Sequence, residues 1–189
     1  MRAIVIAMLL AALAGGAQLR YDDPSDPDRV LDTLGEVVLV EFAIPPSPEV
    51  AITLDSITVR VNSISRTLVF CYVFNQPSPG CVRFREDYTA YLYPQQVEPG
   101  DSLVTFPAGC VIPLDNGSNV QVVLVMGNVW AAKFVMDSAA VAPPHSYHHV
   151  GGWGWNWAPT GGDLRVWLDY NGTMSLTPAT WGSIKSEFN

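Results

Sequence analysis

Between residues 37 and 170 the apolar side chains recur at every second position, in short segments cut off by glycine, proline and asparagine. Period-two alternation places successive side chains on opposite faces of an extended strand. In residues 37–44 (VVLVEFAI), Val38, Val40, Phe42 and Ile44 share one face. Residues 51–61 (AITLDSITVRV) change phase near Asp55-Ser56, which predicts a bulge. Residues 67–74 (TLVFCYVF) are apolar on both faces, as in the middle of a sandwich. Residues 82–93 alternate and end in the tyrosine-rich YTAYLY, and 103–106 make a short segment. Residues 120–126 and 129–136 follow, with Gly127-Asn128 between them as a two-residue turn signal. Residues 164–170 turn Leu164, Val166 and Leu168 inward and Arg165, Trp167 and Asp169 outward, before the turn signal Asn171-Gly172. Past the N-terminus no segment sustains a helical i, i+3, i+4 pattern, and no fixed-period repeat occurs. The fold class expected is all-β: an antiparallel β-sandwich of jelly-roll kind.

The N-terminal part reads differently. Met1-Arg2, the uncharged run 3–14 and Gly15-Gly16-Ala17 form a basic start, an apolar stretch and small residues suited to cleavage, the pattern of an export peptide. Ala12-Leu13-Ala14 and Gly15-Gly16-Ala17 are the two candidate sites; if the segment is retained, residues 3–10 read as an ordered strand. Residues 21–29 (YDDPSDPDR) form an acidic, proline-containing spacer, and they lack the glycine of an EF-hand calcium loop. Pro45-Pro46-Ser47-Pro48 follows the strand at 37–44, which therefore hangs between two spacers. The organisation expected is an export segment at 1–17, a spacer with a detached strand at 18–49, and a sandwich at 50–189. No lipobox cysteine or apolar C-terminal anchor is visible, so the chain is expected outside the cell or at its surface, without an integral membrane anchor.

The formal net charge is −8, from ten Lys and Arg against 18 Asp and Glu, and Lys133 and Lys185 supply all the lysine. Phosphate binding needs clustered cations, so nucleic acid and anionic lipid are excluded as partners. Cys71, Cys81 and Cys110 allow one disulfide and one leftover thiol. Cys71 and Cys81 flank the turn-rich NQPSPG, and a bridge across that hairpin is the first expectation. No CxxC occurs, and no carboxylate lies near His145, His148 and His149, so neither a metal nor another cofactor is expected. No nucleophile elbow or P-loop occurs and the three histidines share one loop, so no enzyme is expected. A glycosidase with an unrecognised carboxylate pair stays as the weaker alternative.

Trp153, Trp155 and Trp157 recur at period two, which puts three indoles on one side of an extended segment. Three roles are open for them: packing at a sheet edge, a protein interface, or a platform for sugar rings. Asn116-Gly117-Ser118 and Asn171-Gly172-Thr173 are N-glycosylation sequons and also plain turn sequences.

Two resemblances follow from these residues. His145-Ser146-Tyr147, the run 153–157 and Gly162-Asp163-Leu164-Arg165-Val166-Trp167 resemble secreted bacterial jelly-roll modules. That likeness implies surface or carbohydrate-associated roles, with no shared catalytic residue. The order export peptide, spacer, detached strand, sandwich is similar to donor-strand pilins, in which one subunit's strand completes the next subunit's sheet. In that layout Val38, Val40, Phe42 and Ile44 are the plugs. The function expected is a non-enzymatic extracellular subunit that self-assembles by strand addition. The alternative is a secreted glycan-binding module.

Overall fold

The computed structural model describes residues 16–21, 25–31, 37–43, 51–76, 88–113, 119–138, 144–150 and 156–172. They form twelve strands and, among the described residues, no helix. The strands are β1 (Ala17–Leu19), β2 (Arg29–Val30), β3 (Val37–Ala43), β4 (Ala51–Ser63), β5 (Thr67–Gln76), β6 (Ala90–Val97), β7 (Gly100–Pro113), β8 (Asn119–Met126), β9 (Ala132–Met136), β10 (Ser146–His149), β11 (Trp157–Pro159) and β12 (Val166–Gly172).

Long β4 is the spine of the first sheet. β12 and β9 follow one another along one of its edges, β7 runs along the other, and β1 and β2 pair with β12 and β9. The second sheet has the order β11-β10-β3-β8-β5-β6, and every pairing in both sheets is antiparallel. The sheets pack face to face as an antiparallel β-sandwich. Val38, Val40, Phe42, Val122 and Leu124 from the second sheet meet Ile52, Leu54, Ile57, Phe106 and Phe134 from the first. Each such side chain, taken out of water, contributes about 1.5–3 kcal/mol.

β3 is not detached. It lies inside the second sheet between β8 and β10, and Val38, Val40 and Phe42 are buried in the chain's own core. That corrects the donor-strand reading of these residues: apolar side chains between proline-rich spacers still find the nearest complementary sheet. Ile44 lies outside the described residues. The reading of residues 18–49 as a spacer with a detached strand changes with it over its described residues, because β1 and β2 also join the first sheet. Tyr21, read as spacer, stacks at 3.8 Å on His145 and accepts the Ala43 N–H at 2.8 Å.

The bulge at Asp55-Ser56 is present, as a register shift between Leu54 and Ser56 against β7 and against β12. β7 is far longer than the expected 103–106, because an edge strand tolerates Pro107 and Pro113. The turn after β8 is longer than two residues: the Ala131 N–H reaches the Asn128 carbonyl at 3.0 Å, and Trp130 stands out into solvent. Asn171-Gly172 is not a turn but the end of β12.

Arg165, expected outward, is buried. Its Nε donates to Asp28 at 3.0 Å and its Nη2 to the Asp26 carbonyl at 2.8 Å, while Arg60 holds the other oxygen of Asp28 at 2.6 Å. A buried guanidinium needs such a carboxylate, and this one pins β2 onto the first sheet. A second polar junction ties the two sheets together. The Leu164 N–H donates to Ser146 Oγ at 3.0 Å, the Asp163 N–H to Asp137 Oδ1 at 2.8 Å, and the Asp137 N–H to the Asp163 carbonyl at 2.9 Å. All of Ser146, Asp137 and Asp163 are buried.

Candidate functional site

The outer face of a sandwich sheet is ordinarily polar. The outer face of the second sheet is not. One transverse row, set by strand register, runs Pro159, Tyr147, Leu39, Val123, Tyr72, Tyr91 across all six strands. Leu39, Val123 and neighbouring Phe74 are fully buried in a second small cluster, against which Val37, Tyr72, Val125, Tyr147 and Trp157 pack. Gln121 lies in the adjacent row between Glu41 and Phe74, fully buried, with no hydrogen-bond partner at either amide atom among the described residues. Glu41 is held by Asn119, whose Nδ2 donates to it at 2.6 Å.

At the β6 end the face opens to solvent as a cluster of tyrosines. Tyr72 and Tyr91 are a cross-strand pair with ring centroids 4.9 Å apart, and Tyr88 closes the group at 5.9 Å from Tyr72 and 6.4 Å from Tyr91. Tyr88 is 44% exposed, Tyr91 40% and Tyr93 85%. The rings are tilted by 36–61°, so they offer both faces and edges. Aromatic rings with a hydroxyl at one tip can stack on an apolar ring face while hydrogen-bonding at its rim. Thr89 fixes the strand beside them: its N–H donates to the Val73 carbonyl at 2.7 Å and its Oγ1 accepts from the Asn75 N–H at 3.1 Å.

At the opposite end, Trp157 on β11 meets the edge of His149 at 6.0 Å and is half-buried against the outer cluster. Trp153 and Trp155 lie outside the described residues, so only one of the three indoles is placed. The histidines are spread over different surroundings: His145 stacks on Tyr21, His149 touches Trp157, and His148 is turned to the other face of β10. Burial pushes the Tyr21 hydroxyl above its ordinary range, with Glu41 and Asp163 adding to it, while the Ala43 N–H acts the other way. Burial and Glu41 push Tyr147 up as well.

Cys71 is a free thiol in the core, and Cys81 lies outside the described residues. Burial is the first cause that raises both the Cys71 and the Cys110 thiol, the opposite of what a nucleophile needs. Asn171 sits in β12 with its Nδ2 donated to the Asp55 carboxylate; Asn116 lies outside the described residues. Asp28, from the acidic spacer, is taken up by Arg60 and Arg165.

No protein-family model and no curated protein matches this sequence. Among solved structures, the chain is similar to the clostridial cysteine protease Cwp84 after propeptide cleavage, with a TM-score of 0.57 at 12% identity. The match covers 84% of this chain and 40% of that one. It is also similar to the cysteine protease and lectin-like domains of Cwp84, a surface-layer-associated protein of Clostridium difficile. There the TM-score is 0.50 at 12% identity, over 82% of this chain and 37% of that one. The chain thus spans well under half the length of these neighbours, and the likeness is one of fold.

The tyrosine cluster was missed in sequence. The signal was present in two pieces, TLVFCYVF apolar on both faces and the tyrosine-rich YTAYLY, but their register was not.

Proposed function

We propose that this chain is a non-enzymatic, cell-surface β-sandwich module that binds glycans on the outer face of its second sheet. The observation that carries the reading is the exposed cluster of Tyr72, Tyr88 and Tyr91, at the β6 end of an apolar face whose middle, Leu39, Val123 and Phe74, is buried. Stacking on sugar rings needs aromatic surface and no charge. The net charge of −8 and the scarcity of lysine fit a neutral ligand better than a phosphorylated one. The fold likeness to a surface-layer-associated protein that has a lectin-like domain supports both the location and the ligand class. The all-β fold and the two described thiols, which burial raises, fit a lectin-like role better than that of a cysteine protease. The export pattern at the N-terminus agrees with a surface location. Strand donation is not part of this reading, because β3 completes the chain's own sheet.

The test is a glycan array followed by calorimetry on the best ligand. Tyr91→Ala and Tyr88→Ala should each weaken binding about tenfold, the loss of one stacked ring. Trp130→Ala, on an exposed turn away from this cluster, should leave it unchanged. Absence of binding across the array, or binding indifferent to both tyrosines, would refute the proposal.

A further inference from the structure

We infer that Cys71 and Cys110 form a disulfide that staples the second sheet to the first when the protein folds in an oxidising compartment. The two lie on β5 and β7, strands of opposite sheets that touch on the side closed by the β6–β7 connection. Cys71 is fully buried in the core shared by both sheets, and half-buried Cys110 packs onto that same core from the facing strand.

Both cysteines sit at strand irregularities. The β5–β6 register shifts between Val69 and Cys71. Cys110 pairs with Leu54 at the β4–β7 shift, directly after Gly109, whose φ of 59° is the left-handed conformation of a bulge. A bulge bends its strand and re-aims the side chain next to it, and here both thiols end up against the same core. They are close enough for charge on one to be felt by the other: after burial, Cys110 is the second cause that raises the Cys71 thiol. A cross-sheet disulfide starts from two inward cysteines on approaching strands, and these two both face the core where β5 meets β7. Both are thiols in this structure.

Bond formation is a two-electron oxidation by thiol–disulfide exchange. One of the two cysteines, as its thiolate, here Cys110, attacks the disulfide of an external low-molecular-weight or oxidoreductase donor and releases one donor thiol. The Cys71 thiolate then displaces the second donor thiol from the Cys110 sulfur. Two thiol protons leave, one protein disulfide forms, and the donor disulfide is reduced to two thiols. Because burial holds both thiols protonated in the closed sandwich, exchange belongs to folding, before the sheets close.

The experiment uses the full chain, refolded in a mixture of reduced and oxidised glutathione, blocked with N-ethylmaleimide and digested without reduction. Mass spectrometry should find Cys71 and Cys110 peptides linked and Cys81 alkylated. The bridge closes a loop of about 40 residues, so the oxidised protein should melt about 10 °C above the reduced one. Cys81→Ser should keep the link and the difference in melting, and Cys110→Ser should lose both. A Cys71–Cys81 link, a Cys110 link only between chains, or alkylation of all three cysteines would overturn the inference.

Discussion

Gly162→Ala is the substitution whose cost the geometry fixes most directly. Residue 162 lies in the buried junction that joins Asp137 to Asp163. A methyl group there would overlap the Asp137 carbonyl oxygen and come within 2.8 Å of Met136 Cε and 3.1 Å of Asp137 Oδ1. The methionine can move, but the carbonyl belongs to the backbone. Displacing Asp137 breaks its N–H bond to the Asp163 carbonyl, about 1 kcal/mol, and the Asp163 N–H bond to its carboxylate, about 2 kcal/mol. Overpacking adds about 1–3 kcal/mol more. A loss of about 5 kcal/mol is expected, read by urea unfolding with tryptophan fluorescence. For a chain of this size that lowers the melting temperature by about 10–20 °C. Gly161→Ala is the control. Gly161 has a φ of 80° and open space around its Cα, so its cost is backbone strain alone, about 1–2 kcal/mol. If Gly162→Ala costs no more than Gly161→Ala, the junction is not the tight contact described.

Phe42→Ala should destabilise the folded chain by about 3–5 kcal/mol in urea titration, because the ring is fully buried between the sheets; a negligible loss would return β3 to the status of a detached segment. Asp28→Ala removes the carboxylate that faces buried Arg165 and should cost about 2 kcal/mol, below the usual range for a buried pair because Asp28 is itself partly exposed. Thermal melts would show it. The Arg60 side-chain bond holds the Asp101 carboxyl below the ordinary aspartate value. Its folded pKa is the lower one, so its contribution is present above the unfolded value and is lost as the pH falls through the folded one. Denaturant midpoints between pH 5 and 2 should therefore fall less steeply in Asp101→Asn than in the parent.

Much of the architecture is legible in sequence because strand alternation is a local property. The shift of apolar parity between Leu54 and Ile57 announces the bulge, and the inward set Leu164, Val166 and Leu168 is buried as expected. What is lost is set by partners distant in sequence. Arg165 reads as outward by alternation, and only Asp28 at the other end of the chain explains its burial. Proline-rich flanks around β3 say that it enters and leaves abruptly, but not that β8 and β10 receive it. Pro107 predicts a stop after residue 106, yet β7 runs on to Pro113, because proline halts a central strand but not an edge strand. The tyrosine cluster depends on Tyr72 facing Tyr91, a register that no local pattern specifies. The apolar residues of β5 were legible, and the open end of the face that they build was not.

β7 leaves a fourteen-residue strand along one side of the first sheet with a single described partner, β4. Such a border is where a foreign strand would add and where sheets grow into aggregates. This one carries its own stops. Pro107 and Pro113 have no N–H to offer a newcomer, and the left-handed Gly109 twists the strand between them. A visiting chain would find only short stretches of ladder before losing register. The same irregularity that aims Cys110 at the core therefore also limits growth of the sheet. It favours a sheet that ends at its own border over one that propagates.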